Sequence, residues 1–246
     1  GGVMPIGQML NIPEKEKTRT ESSQANASLL LPKYLETSLV GANDNFWRDI
    51  VTTTQVKSGL NNAIQKISTP LNFSGFNTQL LSEYEDLFTS MGFAPVVGGG
   101  SGSSTSADPK HFEPGSAVAQ VFITGDYNID ATGTVTAVSG NQLLAFGHYA
   151  FNLGDVNTPM AATKILATLP SMMGSNKMAV ATDIVGTIRQ DRMSGIMGDI
   201  SIEPELVPVR INHHSARDGN KEFNFKMALD KSLNNLIPFY LRIAII

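Results

Sequence analysis

The feature that most restricts the fold of this chain is a period-two alternation of apolar and polar residues in its second half. Segment 133–138 shows it, segment 117–124 is a run of mostly apolar β-forming residues, and the short turn Ser139–Asn141 leads directly into the next apolar segment. A later pair, 206–211 and 222–229, repeats the pattern. Such spacing is typical of antiparallel strands joined by hairpins. We therefore expect β structure to dominate this half.

Helical periodicity is confined to the first half. One apolar stripe begins after residue 45 and is ended by Pro70. Its members are Val56, Leu60, Ala63, Ile64 and Ile67. A second helix is predicted after Phe76, capped by Asn77 or Thr78. Its buried stripe is expected to contain Leu80, Leu81, Tyr84, Leu87, Phe88 and Met91. The expected fold class is mainly β with a helical insertion or cover (α+β).

Local composition divides the chain. Residues 1–10 look like the tail of a strand, and residues 13–21 alternate charge signs without an apolar period, as a solvated loop does. The Gly/Ser run 98–109 lacks the lysine and the strand-to-helix context of a phosphate loop, so it is predicted to be a linker. We therefore expect three parts. They are a strand remnant plus helices in 1–97, the linker in 98–109, and a β-barrel portion that carries His148 in 110–246.

Composition excludes several classes of function. The 246 residues contain no cysteine, which rules out disulfides, thiol nucleophiles and cysteine metal ligands. A net charge of −4 gives no basic footprint for nucleic acid. No segment has the roughly 18 to 20 apolar residues of a membrane helix. The adjacent His213 and His214 would point to opposite faces of a strand, which disfavours a metal site. We predict no cofactor, metal, nucleic-acid partner or membrane span.

His148 is the candidate for chemistry. It follows an apolar strand and Gly147, so the backbone would fix its position where a general base is useful. A general base needs a nucleophile within hydrogen-bond reach and a carboxylate or carbonyl that fixes its tautomer. Spacing alone also allows a histidine that is simply hydrogen-bonded at a barrel rim.

The most specific motifs are Phe146-Gly147-His148, followed by Asn152-x-Gly-x-Val156 and Pro159-Met160, and then Gly186-Thr-Ile-x-x-Asp191-Arg-x-Ser-Gly195. They resemble the SpoIVB-type serine peptidase domain, and more closely its rearranged version in large secreted bacterial proteins. Weaker motifs extend the resemblance over nearly the whole chain. They are Gly2 to Leu10, Thr69 to Phe76, Gly92 to Gly100, Glu113 to Ser116 and Gly133 to Thr136.

The resemblance implies a trypsin-like double β-barrel with His148 as the general base. The nucleophile of the family lies in a Gly-Met-Ser-Gly-Ser-Pro element, which this sequence does not contain. In the rearranged proteins that element precedes the segment resembling Gly2 to Leu10. The serine-bearing portion is therefore expected before Gly1, the barrel is expected to be incomplete at its N-terminus, and this chain alone is expected to be inactive.

Two further residues are candidates for the site. Asp155 would orient His148 if the intervening loop folds back, although a loop aspartate is more often a turn former. Ser194, in Met-Ser-Gly-Ile, looks like a nucleophile turn but aligns with a structural segment of the family. We treat it as the weaker nucleophile candidate.

Two functions from different classes remain open. One is the histidine-bearing portion of a serine endopeptidase that cleaves peptides or proteins, including its own precursor. The other is a non-catalytic, peptidase-like scaffold or binding module of the bacterial cell envelope. Its partner would be the N-terminal fragment of its own precursor or another envelope protein. Either function predicts a periplasmic, envelope-bound or secreted bacterial protein.

Overall fold

The computed structural model describes residues 5–18, 69–90, 93–98, 111–169, 176–217, 219–231, 233, 241 and 244. These residues form a mainly β structure with short helices, as the sequence pattern predicts. The helices are α1 (Ile6–Met9), α2 (Ile12–Lys17), α3 (Thr78–Glu83) and α4 (Glu85–Ser90). The strands are β1 (Thr69–Ser74), β2 (Phe93–Val97), β3 (Ala117–Gly125), β4 (Asn128–Ser139), β5 (Gln142–Ala145), β6 (Gly154–Leu169), β7 (Asn176–Arg192), β8 (Gly195–Asp199), β9 (Leu206–Ser215) and β10 (Gly219–Ala228). The helix predicted between residues 45 and 67 lies outside the described residues.

Six of the described strands close into a ring. Their order is β4-β5-β8-β7-β6-β3, and β3 pairs again with β4. The ring consists of two meanders of consecutive antiparallel strands, β3-β4-β5 and β6-β7-β8. Two seams join them, since β3 pairs with β6 and β5 pairs with β8. The segment between β5 and β6, which contains His148, is the only covalent link between the two meanders.

Both hairpins predicted from turn chemistry are confirmed. Ser139 pairs with Gln142, so Gly140 and Asn141 form a two-residue turn in which Gly140 has φ +57°. Strands β9 and β10 pair over their full length and extend the ring beyond β3. His213 and His214 lie on β9 and are exposed, as expected for a solvent-facing hairpin end.

A second extension joins the ring at β4. Strand β1 pairs antiparallel with β4 and parallel with β2, so the sheet contains residues from both sides of the segment 98–109. Parallel neighbours need a crossover connection, and α3 and α4 lie in it. The division into 1–97 and 110–246 stays a prediction about chain organisation.

The predicted helix after Phe76 forms with one interruption. Asn77 caps it, since its Oδ1 accepts a hydrogen bond from the Gln79 N–H at 2.9 Å. The helix is broken between α3 and α4 at Tyr84. The predicted stripe residues Leu81, Tyr84 and Phe88 are buried. The Phe88 ring lies 4.8 Å from that of Phe73 on β1, which places α4 against the sheet.

For residues 5–18, the described part of the N-terminal segment, the predictions are wrong. Residues expected to form a strand tail and a solvated loop instead form α1 and α2. Met9 and Ile12, three residues apart, are buried against Leu144 and Met197 on the sheet. Pro13 lies in the first turn of α2, where its missing N–H costs nothing. This burial depends on residues more than 100 positions away, which local composition does not report.

Candidate active site

The link between the two meanders makes a tight turn after β5. Phe146 and Gly147 both have left-handed backbone conformations, with φ of 74° and 72°. For a phenylalanine this is unusual and has to be maintained by its surroundings. Gly133 provides part of them, because a Cβ at this position would overlap the Phe146 ring carbons Cδ1 and Cε1. The missing side chain of Gly133 leaves the space that the ring occupies.

The imidazole of His148 has one defined orientation. Its Nδ1 lies 2.8 Å from the carbonyl oxygen of Tyr149. A carbonyl oxygen only accepts hydrogen bonds, so Nδ1 donates and Nε2 is the unprotonated nitrogen of the neutral ring. Among the described residues, Nε2 has no hydrogen-bond partner. The half-buried ring therefore presents a proton acceptor at Nε2.

Thr69 on β1 provides a second contact to the same edge of the ring. Its Oγ1 lies 3.4 Å from His148 Nδ1 and 3.5 Å from the Tyr149 carbonyl oxygen. Both distances are long for hydrogen bonds, so these contacts are weaker than the one to Tyr149. Because Thr69 is buried, it closes this side of the imidazole.

Asp191 on β7 binds the segment that follows His148. Its Oδ1 accepts a hydrogen bond from the Ala150 N–H at 2.9 Å, and its Oδ2 accepts one from the Phe151 N–H at 2.7 Å. The Leu153 N–H lies 3.4 Å from Oδ2. The Asp191 side chain has no exposed surface. A fully buried carboxylate thus satisfies the backbone donors of this turn.

Opposing effects act on the pKa of Asp191. Burial raises the pKa, because the charged form loses its hydration. Hydrogen bonds from the N–H groups of Phe151, Ala150, Leu153 and Asn152 favour the charged form and oppose that rise. Burial is the larger effect. Among the described residues, no cation pairs with this carboxylate.

Asp155, the predicted orienting acid, lies on β6 and has another partner. Its Oδ1 accepts a hydrogen bond from Arg192 Nη2 at 2.5 Å. Arg192 is also held by Gln190, whose Oε1 accepts from Nε at 2.8 Å. Within the described residues, the polar contacts of His148 are with Thr69 and Tyr149. The structure therefore does not bring Asp155 to the imidazole.

Ser194, the weaker nucleophile candidate, lies in the turn between β7 and β8. Its hydroxyl donates to the carbonyl oxygen of Gln8 in α1 at 3.2 Å. Strand register places Ala145 opposite Ile196, so this turn and the turn before His148 lie at the same end of the β5–β8 seam. In the described part of the chain, Ser194 and His148 are not joined by a hydrogen bond.

A second buried carboxylate lies away from His148, at the pairing of β1 with β4. Asp130 Oδ1 accepts hydrogen bonds from Asn72 Nδ2 at 2.9 Å and from Thr132 Oγ1 at 3.1 Å. Burial raises the pKa of Asp130 to about 6, while these two side chains lower it. Asn72 Oδ1 is itself buried and has no hydrogen-bond partner among the described residues. Within the described ranges, the donors to Asp130 are side chains.

Sequence reasoning singled out His148 as a candidate but did not identify which residues contact its ring. A carbonyl was one of the two groups expected to fix the tautomer, and the Tyr149 carbonyl does so. Asp191 belonged to the motif that suggested the family, yet no pattern indicated its contacts with residues 38 to 41 positions earlier. Strand β7 also contains Asp183 and several other polar residues, so composition alone did not single out Asp191.

Comparison with protein-family models, with curated proteins and with solved structures found no match to this chain. No cluster of metal-ligating side chains occurs within the described ranges. Of the helices that the structure describes, none has the length and apolar character needed to cross a membrane.

Proposed function

We propose that this chain is the histidine-bearing portion of a serine endopeptidase, with His148 as its general base. The observation that supports the proposal is the hydrogen bond from His148 Nδ1 to the Tyr149 carbonyl, which leaves Nε2 as a proton acceptor. The resemblance of the motifs around His148 and Asp191 to SpoIVB-type peptidases indicates the reaction class. The ring of six strands is compatible with one barrel of a trypsin-like pair.

In the proposed reaction, Nε2 takes the proton of a serine hydroxyl as its oxygen attacks a peptide carbonyl carbon. The imidazolium then returns that proton to the leaving amine as the C–N bond breaks. Proton transfer of this kind contributes on the order of a hundredfold to ten-thousandfold to the rate. The serine comes from outside the described residues, and the substrate is a peptide or protein, including the precursor of this chain. The proposed location is the bacterial periplasm, envelope or exterior.

A second candidate function is a peptidase-like scaffold or binding module of the cell envelope. It is favoured because, among the described residues, the hydrogen-bond partners of His148 are Thr69 and Tyr149 and not a serine, and because Ser194 donates to the Gln8 carbonyl. In this function His148 would be a structural residue of the turn between the meanders. Its partner would be the N-terminal fragment of the precursor or another envelope protein.

Labelling of the full-length precursor with a fluorophosphonate probe separates the two functions. We expect the wild-type protein and the variant His213→Ala, which loses an exposed histidine on β9, to be labelled equally. The variant His148→Ala should lose at least about 99% of the labelling rate if its base supplies a hundredfold. Mass mapping of the labelled peptide would locate the serine. A folded wild-type precursor that is not labelled would contradict the peptidase proposal and favour the scaffold.

A further inference from the structure

Asp191 and His148 bind opposite ends of one peptide group. The Tyr149 carbonyl, which accepts from His148 Nδ1, and the Ala150 N–H, which donates to Asp191 Oδ1, belong to the same amide. A trans amide is planar, with its oxygen and its hydrogen pointing in opposite directions. The arrangement is thus a chain of hydrogen bonds from a buried carboxylate, through one amide, to the imidazole.

We propose that Asp191 is the positioning residue for His148 and acts on it through the Tyr149–Ala150 peptide group. This inference rests on the proposed function, in which the orientation of the imidazole matters. The carboxylate fixes the plane of the amide by accepting the Ala150 N–H. Because the Tyr149 oxygen belongs to that plane, its position beside Nδ1 is fixed as well.

The same contact also strengthens the carbonyl as an acceptor. Hydrogen bonds in a chain polarise one another, and the effect is larger where water is excluded. A carboxylate on the N–H side increases the negative charge on the oxygen of the amide. The Nδ1–H tautomer of His148 is stabilised by that charge, which keeps Nε2 available as the base.

The remaining contacts of Asp191 hold the turn as a whole. Phe151 and Leu153 also donate to its carboxylate, and Gly154, at the start of β6, pairs with Asp191 in the sheet. The turn is thereby tied to β7 in the second meander, while His148 follows β5 in the first. Asp191 is thus placed to set where the imidazole lies relative to both meanders.

Nitrogen-15 NMR of the His148 ring at a pH where it is neutral tests the inference in the full chain. In the wild type we expect a single tautomer with the proton on Nδ1. The variant Asp191→Asn replaces one acceptor oxygen by a donor, and we expect its ring to become a mixture of tautomers. The matched control Asp130→Asn changes another buried aspartate in the same sheet and should leave the His148 signals unchanged.

Backbone esters test the linking amide itself and do not depend on the folding of Asp191→Asn. Replacing Ala150 by its α-hydroxy acid removes its N–H and weakens the Tyr149 carbonyl as an acceptor. Replacing Phe151 by its α-hydroxy acid removes another donor to Asp191 but leaves the Tyr149–Ala150 amide intact. We expect loss of the single tautomer in the ester at residue 150 and its retention in the ester at residue 151.

Equal tautomer ratios in the two esters would overturn the inference. A tautomer ratio of His148 that is unchanged in folded Asp191→Asn would also overturn it. Neither result would affect the proposed function, which requires only the wild-type Nδ1–H tautomer and a serine. A wild-type ring protonated at Nε2 would instead contradict the base geometry on which both depend. If the tautomer results are as expected but the probe does not label the precursor, the peptidase proposal is contradicted. The positioning of His148 by Asp191 is then unaffected.

Discussion

Asp191 and Asp130 are both buried in the same sheet, yet they are bound in different ways. Asp191 accepts hydrogen bonds from backbone N–H groups of a turn, whereas Asp130 accepts them from the side chains of Asn72 and Thr132. Burial raises the pKa of both carboxyls. Backbone donors cannot move without changing the path of the chain, but side-chain donors can rotate. Asp191 therefore holds the backbone of a turn in one conformation, whereas Asp130 places a titratable charge inside the sheet.

The largest effect is expected for Asp191→Ala, which removes the acceptor for several backbone donors at once. Each buried donor left without a partner costs about 1 to 3 kcal/mol. With Ala150 and Phe151 as the two shortest contacts, we expect the free energy of unfolding to fall by about 4 kcal/mol. Urea denaturation at pH 7 measures it. A loss below about 1 kcal/mol would show that water replaces the carboxylate easily and would remove the distinction between the two aspartates.

An effect of intermediate size is expected from the titration of Asp130. Its pKa of about 6 in the folded chain, against 3.8 for an unperturbed carboxyl, corresponds to about 3 kcal/mol. Because the folded state binds the proton more tightly, the charged form is destabilising above pH 6. That cost disappears as the pH falls through 6 towards 3.8.

The variant Asp130→Asn cannot titrate and isolates this effect. We expect the unfolding free energy of the wild type, relative to that of Asp130→Asn, to rise by up to about 3 kcal/mol between pH 7 and pH 4. Urea denaturation at several pH values gives the difference. If the two proteins follow parallel pH profiles, the side-chain donors of Asn72 and Thr132 have already cancelled the effect of burial.

The smallest effect is expected for Thr69→Val. This substitution changes β1, the strand that contacts both the His148 turn and the Asp130 cluster. Thr69 contacts the His148 ring, and Asn72, three residues later on β1, donates to Asp130. Since the hydroxyl contacts of Thr69 are long, we expect the unfolding free energy to fall by less than about 1 kcal/mol. Its pH dependence should match that of the wild type. Urea denaturation at several pH values checks this. A pH dependence of the unfolding free energy that differs from the wild type would show that β1 couples the His148 turn to the Asp130 cluster.

Much of the fold could be predicted because hairpins depend on local sequence. The turn at Gly140 and the β9–β10 hairpin follow from turn residues between alternating segments, and both are confirmed. Helices α1 and α2 could not be predicted, because they are stabilised by contacts of Met9 and Ile12 with distant strands. The same reason applies to the site. His148 is next to a glycine at the end of a strand, but its connection to Asp191 depends on the register of β6 with β7.

The two-meander ring has a consequence for the rate of folding. Each meander forms from strands that are neighbours in sequence, whereas the seams pair Val118 with Ala162 and Gln142 with Asp199. Pairings between such distant segments require large loops to close, and chains dominated by them fold on about the millisecond to second scale. The β3–β6 and β5–β8 seams should therefore form late in folding. The turn that carries His148 would then reach its final shape only in the last steps of folding.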